Sequence, residues 1–292
     1  MIEGLLVIDK PGGMTSHDVV NHIRRVTGVR RVGHAGTLDP LATGVLLVCV
    51  GRATRLVEYL VGQPKTYVTT IRLGQTTNTY DADGEVVEER PALHITPDLI
   101  SQSLTSFRGT IQQKPPLYSA IKKDGQPLYK LARRGQTTDV PLRGVTIYEL
   151  SLLTVNLPEI TLQITCSSGT YVRSMAHDLG EALGCGGHVA MLRRTAIGSF
   201  TSQEAVPLIT LNSENVIHKL LPMETAVAHL PYLNLNAEET KNIQHGRPVA
   251  RQSHHPEATL VQAFGEDGRF IGVIAARHNS WQPHKIFHPM GE

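Results

Sequence analysis

Apolar residues open this chain in short blocks closed by turn formers. Gly4–Asp9 reads as a buried strand ended by the turn Lys10-Pro11-Gly12-Gly13. Thr15, three residues before Asp18, predicts a capped helix whose apolar face is Val19, Val20, Ile23 and Val26 and whose stop is Gly28. A glycine-rich loop, Gly33 to Pro40, leads into the apolar run Gly44–Val50. Lys65–Leu73 alternates strictly, with Tyr67, Thr69, Ile71 and Leu73 on one face and Val68, Thr70 and Arg72 on the other, the period of a strand. Asp83-Gly84 marks a hairpin turn. Thr96-Pro97 opens a helix with Leu99, Ile100, Leu104 and Phe107 inward.

The second half reads as two long strands, Gly144–Asn156 and Glu159–Cys166, and a helix from Tyr171 to Leu183 closed by Gly184. Leu211–Leu221 has a helical pattern, and beyond Pro222 and Pro231 the texture changes to short strands and turns such as Gly265-Glu266-Asp267-Gly268. Long strands mixed with helices, without regular alternation, indicate an α+β fold built on a large mixed, mostly antiparallel sheet flanked by helices. The texture change predicts a domain of residues 1–230 and a small β-rich domain of residues 231–292.

Composition sharpens this picture. The chain has 292 residues, 40% hydrophobic and 18% charged, enough for a sizeable core and too apolar for a disordered chain. Lys and Arg number 28 against 26 Asp and Glu, a net of +2 that excludes a uniformly basic coat. The sum hides opposed patches. His22–Gly36 carries Arg24, Arg25, Arg30 and Arg31 with no acid, and Lys114–Arg143 has seven basic residues against Asp124 and Asp139. Gly74–Asp98 has six acidic residues against Arg90. Cys49, Cys166 and Cys185 are odd in number and form no Cys-x-x-Cys pair, which favours a reducing, cytoplasmic setting. No window has the roughly 20 apolar residues of a membrane span.

Candidate chemistry centres on Gly33-His34-Ala35-Gly36-Thr37-Leu38-Asp39-Pro40-Leu41-Ala42-Thr43-Gly44. By spacing alone, Asp39 before Pro40 reads as an ordinary helix N-cap with proline at the first position. The loop lacks both Gly-x-Gly-x-x-Gly and the Walker lysine, so no motif supports a nucleotide cofactor. Asp81, Asp83 and Glu85 alternate as a metal loop does, but a hairpin rim explains them better. His254, His255, His278, His284 and His288 match no zinc spacing.

In detail, Gly33–Gly44 resembles the signature loop of the pseudouridine synthases, and in particular that of the bacterial tRNA pseudouridine-55 synthase family. Lys10-Pro11 is similar to that family's amino-terminal motif. Lys65-Thr66-Tyr67, Arg72-Leu73-Gly74 and Thr79-Tyr80-Asp81-Ala82-Asp83-Gly84 are similar to its second. Gly169-Thr170-Tyr171-Val172-Arg173-Ser174, with Asp178-Leu179-Gly180 and Gly184–Arg194, is similar to its third. The resemblance covers most of the chain.

It implies a central catalytic cleft in which Asp39 is the catalytic aspartate, Arg173 its partner and Tyr67 the ring that stacks on the target base. His34, Tyr171 and Leu192 would line the substrate pocket, Asp81 would be a second acid near it, and Lys10 would belong to its wall. The implied reaction isomerises the T-loop uridine of tRNA. The base is flipped out at a cost of roughly a few kcal/mol, the C1′–N1 bond breaks and C5 joins C1′, with no metal or other cofactor. The implied partner is tRNA, through its T arm, with no guide RNA or obligatory protein partner and no membrane. The basic segment 114–143 would grip RNA, and the small domain would be a PUA-like RNA-binding module. A synthase with a different or broader RNA target, and a non-catalytic tRNA-binding or tRNA-folding protein, are the alternative readings.

Overall fold

The computed structural model describes residues 2–119, 121–123, 125–132, 140–251 and 257–288. The first helix, Ser16–Thr27, starts as its spacing requires: the Asp18 N–H donates to the Thr15 hydroxyl, and the Thr15 N–H donates to the Asp18 carboxylate. Gly28, at φ 68°, ends it.

Among the described residues, ten strands form one mixed sheet. Its main path runs Val206–Pro207, Gly4–Lys10, Thr43–Val50, Gly187–Ile197, Lys65–Leu73, Glu159–Cys166, Arg143–Asn156 and Gly109–Gln113. Val32–Ala35 pairs with Thr43–Val50, and Phe200–Thr201 with Gly187–Ile197. Two junctions are parallel, Gly4–Lys10 with Val206–Pro207 and Thr43–Val50 with Gly187–Ile197; the others are antiparallel. The fold is therefore α+β on a mostly antiparallel sheet, and Lys65–Leu73 alternates in burial along its whole length.

Each face of the sheet carries its own core. One packs Val19, Val20, Ile23, Ile100, Leu104, Met175 and Leu179 of three helices against Leu6, Ile8, Ile71 and Ile164. The other joins Leu5, Leu47, Leu56, Leu60 and Ile197 to Phe270, Val273 and Phe287 of a second, five-stranded sheet. That sheet is ordered Tyr232–Asn234, Leu260–Phe264, Phe270–Arg277, Ser280–Ile286 and Val249–Ala250. At roughly 1.5–3 kcal/mol for each large apolar side chain buried, this seam holds the two sheets together. Arg55 reinforces it, donating to the Ile286 carbonyl at 2.6 Å with its guanidinium 4.9 Å from the Phe287 ring centre.

The structure departs from the sequence reading in four places. Leu211–Leu221 is not a helix but holds one short 3₁₀ turn, Val216–Lys219. The Asn212 side chain accepts from the Glu214 and Asn215 N–H groups, and Asn215 returns a bond to the Asn212 N–H, a local closure that competes with the helix. No helix follows Asp39: a single turn, Ala42 N–H to Asp39 carbonyl at 3.1 Å, delivers the chain into the Thr43–Val50 strand, which overturns the N-cap reading. Gly187–Ile197 is a central strand. Ala237–Gln244 is a helix inside the carboxy-terminal segment, begun by an Asn236–Glu239 capping box.

Candidate active site

Asp39 stands in the loop between the strands Val32–Ala35 and Thr43–Val50. The loop is pinned from below at three points. The Ser16 hydroxyl accepts from the Leu38 N–H at 2.8 Å and donates to the Leu38 carbonyl at 3.1 Å. Lys10, fully buried, donates its ammonium to the carbonyls of Pro11 (2.8 Å), Met14 (2.7 Å) and Pro40 (3.4 Å). Arg194, 1% exposed, donates to the carbonyls of Val45 (2.7 Å) and Gly36 (3.0 Å) and is hydrogen-bonded to the Tyr67 hydroxyl. Gly44 lets the loop and Arg194 meet: its φ is +99°, and a Cβ there would lie 2.2 Å from the Arg194 carbonyl oxygen.

Arg173, near the start of the helix Val172–Ala182, closes the site from above. Its Nε lies 2.9 Å from Asp39 Oδ2 and its Nη1 3.3 Å from Asp81 Oδ2. Nη1 also donates to the Thr79 carbonyl (2.9 Å) and Nη2 to the Tyr118 carbonyl (2.8 Å), so all three guanidinium nitrogens are fixed. Asp81 is held in turn at the hairpin tip, where its Oδ1 accepts from the Thr79 hydroxyl (2.6 Å) and the Asp83 N–H (3.2 Å).

Although 38% of the Asp39 side chain faces the cleft, the carboxylate is ringed by protein. Burial pushes its pKa above the ordinary carboxylate value, Arg173 opposes that rise and Asp81 adds to it. Burial pulls the Lys10 ammonium down to about 8, with Asp39 working against the fall. It likewise pushes the Tyr67 and Tyr171 hydroxyls up, so both rings stay neutral in the physiological range.

Five of the eight candidate residues line one small pocket: Asp39, Tyr67, Tyr171, Arg173 and Leu192. Asp81 reaches it through Arg173. Lys10 lies beneath it with no exposed surface, so it supports the wall from behind and is not placed to touch a bound molecule. His34 sits on the Val32–Ala35 strand outside the pocket lining, with Nδ1 buried and unpartnered and its imidazole pulled down by burial and by Arg194. The largest cavity, between Arg72–Gln75, Glu89–Leu93 and Leu157–Pro158, is remote from Asp39 and has no such convergence of groups.

Two supporting residues escaped the sequence reading. Arg194 lay inside a quoted motif but was given no role. Gln113 brackets Tyr171 with one amide, accepting from its N–H at 2.8 Å and donating to its carbonyl at 3.0 Å. Among the described residues, no group of three or more His, Cys, Asp or Glu side chains is placed to hold a metal ion. His254 and His255 lie outside the described residues, as do Ala120, Asp124, Arg133, Arg134 and Asp139 of the basic segment. The Arg24–Arg25 end of the first helix is about 18 Å from the end that touches Leu38, twelve residues at 1.5 Å each. That basic patch therefore lies about a helix length from Asp39.

Three family models match the chain in succession. "TruB family pseudouridylate synthase (N terminal domain)" covers residues 24–172, "tRNA pseudouridylate synthase B C-terminal domain" 173–228, and "Pseudouridine synthase II TruB, C-terminal" 231–285. The chain is 44% identical to the tRNA pseudouridine synthase B of Thermobifida fusca, over 98% of this chain and 99% of that one. It is also 44% identical to that of Pseudomonas aeruginosa, over 93% and 91%. Among solved structures it is similar to a chain of a Cbf5-Nop10-Gar1 complex, with a TM-score of 0.76 and 28% identity over 98% of this chain and 85% of that one. A chain of an H/ACA RNP bound to a substrate RNA containing 2′-deoxyuridine gives the same TM-score at 25% identity.

Proposed function

This chain belongs to the TruB family of pseudouridylate synthases and is an isomerase; on that premise we propose that it converts uridine 55 in the T loop of tRNA to pseudouridine, with Asp39 as the reacting carboxylate. The observation that carries the assignment of Asp39 is its 2.9 Å contact with Arg173 inside a pocket walled by Tyr67, Tyr171 and Leu192.

The reaction needs a charged carboxylate against the sugar and a flat surface for a flipped base. Arg173 keeps Asp39 ionised where burial alone would protonate it. The Tyr67 ring is held by its hydroxyl on Arg194. A stacked aromatic returns about 1–3 kcal/mol per base, the scale of the unstacking cost. With the base seated, the C1′–N1 bond breaks, the uracil turns, and C5 bonds to C1′. The C5 proton leaves to solvent and N1 ends protonated, so atoms balance with no redox partner. Carboxylate attack at C1′ and a glycal-like route both use Asp39. Arg173, with every nitrogen engaged, positions Asp39 and does not move a proton.

The same reading takes residues 1–230 as the catalytic domain and 231–292 as a PUA-like RNA-binding module, with segment 114–143 gripping the phosphate backbone. From Asn234 onward six basic residues meet six acidic ones, which suits shape contacts over strong electrostatic attraction. The enzyme acts as a single chain without a guide RNA. Incubating the protein with a C5-tritiated uridine T-arm stem-loop, without added cofactor, tests this. Tritium release is expected, and an unrelated uridine-containing loop is expected to release little. Absence of release from folded protein would overturn the reading, and equal release from both loops would replace it with a broader target.

A further inference from the structure

Behind Arg173, on the side away from Asp39, lies a second cavity of about 310 Å³, walled by Tyr80, Pro115, Pro116, Leu117, His177 and Asp178. Its aromatic wall is built with unusual care. Tyr80 and His177 stack nearly parallel, ring centres 4.0 Å apart and planes 6° apart. Tyr80 holds this position at φ +62°, a left-handed conformation that a bulky aromatic side chain seldom adopts. The backbone on either side of it explains why the conformation is enforced: the Thr79 carbonyl and the Asp81 carboxylate both bind Arg173. The Tyr80 carbonyl also accepts from the Val189 N–H at 3.0 Å, and the Val189 carbonyl from the Ala82 N–H at 2.9 Å.

The opposite wall is tied to the same helix. The Ser174 hydroxyl donates to the Lys114 carbonyl at 2.7 Å, and Arg173 Nη2 donates to the Tyr118 carbonyl. The Arg173 guanidinium is thus the partition between this cavity and the Asp39 pocket. The hydrogen-bonding groups along the second cavity are the Asp178 carboxyl, which burial pushes above its ordinary pKa, and the His177 imidazole, whose Nδ1 is buried without a partner.

We propose that this cavity is a nucleobase subsite that receives an unpaired base flanking the target nucleotide, stacked against the Tyr80–His177 wall. Flat aromatic and proline walls suit a planar ring, and a carboxyl at the edge suits an exocyclic amino group. Because the partition is one side chain thick, a base next to the flipped target is within reach. The proposal rests on the RNA-modifying reading above and adds a second recognition point to it.

The test crosses protein variants with RNA variants. T-arm stem-loops carrying one abasic residue at each loop position beside the target are compared with the intact loop, reading KM and kcat. Tyr80→Asn removes the ring while tolerating a positive φ, and Tyr80→Phe keeps it. The expected result is a roughly tenfold rise in KM for Tyr80→Asn on the intact loop. One abasic position should cost the wild type about as much, with the two losses not adding when combined. Tyr80→Phe should stay within about twofold, and saturated kcat should change little in either variant. Additive losses at every position overturn the subsite. So does a wild type indifferent to every flanking abasic residue, a result that does not depend on any variant folding. Failure of the wild type on the intact loop, in contrast, removes the underlying RNA reading.

Discussion

Two buried arginines flank the Asp39 loop, and they are neutralised in different ways. Arg173 lies between two carboxylates, Asp39 and Asp81. Arg194 rests on carbonyl oxygens and the Tyr67 hydroxyl, and among the described residues no carboxylate lies within ion-pair distance of it. Lys10 and Lys65 belong with Arg194. Lys10 sits on three carbonyls, and Lys65 donates to the carbonyls of Val61 and Gln63 at 2.5 and 2.6 Å. The upper cation sets the charge of the reacting group, while the lower ones spend their hydrogen bonds on holding backbone in place. Variants on the two sides should therefore fail differently, the upper ones in catalysis and pH response, the lower ones in stability.

The largest effect belongs to Asp39→Asn, which keeps shape and removes the charge. Turnover should fall below detection in the tritium assay, while RNA affinity stays within about tenfold (~1.4 kcal/mol) of the wild type. Normal turnover would dismiss Asp39 from its role. Next come the two groups around it, which should act in opposite directions. With Arg173→Met, Asp39 loses the cation that resists burial and still faces Asp81. Its pKa rises further, so the acid limb of the rate profile moves to higher pH, and kcat at neutral pH drops by about 10²–10³-fold, on the scale of breaking a buried ion pair. Asp81→Asn removes the repulsion, so the limb moves to lower pH. Limbs that shift together would break the picture of Arg173 as an electrostatic partner.

Below the loop, Arg194→Met strands the Gly36 and Val45 carbonyls and frees the Tyr67 hydroxyl. The expected loss is about 2–4 kcal/mol in urea unfolding, from leaving buried polar groups unpaired. The acid limb should stay where it is, since Arg194 does not contact Asp39. Arg194→Lys restores charge without the three-point geometry and should recover only part of the stability. A pH profile displaced like that of Arg173→Met would merge the two sides into one network.

What the sequence revealed follows the same division. Asp39, Tyr67 and Arg173 were legible through motifs, and Lys65–Leu73 through its period of two. The Gly187–Ile197 strand was not, because register shifts between Val189 and Met191 and between Arg194 and Ala196 break that period. Its buried His188 and Arg194 also read as polar surface. Arg193 and Arg194 are neighbours of the same type, yet strand geometry sends them to opposite faces. One pairs with Asp9 at the sheet surface and the other disappears beneath the active site. The Asn236–Glu239 capping box was a local signal available for the helix it starts. The Asp39–Pro40 helix start was an equally good local signal, overridden by the pairing of the next eight residues into the sheet.

The finest distinction lies in how the lower cations respond to base. Burial pulls the Lys10 and Lys65 ammonium groups down to about 8 in the folded protein, against about 10.4 for an exposed lysine. Between those values the unfolded chain binds more protons than the folded one, so stability contributed by these groups rises as pH climbs from about 8 toward 10. Below about 8 the full burial penalty is present. Urea unfolding at pH 7.5 and pH 9.5 reads this directly: the gain between the two should be larger in the wild type than in Lys10→Met, which no longer has that amine to titrate. Equal gains would mean that the three carbonyls around Lys10 hold its charge as firmly as carboxylates hold Arg173. The division between charge-paired and carbonyl-held cations would then lose its basis at that residue.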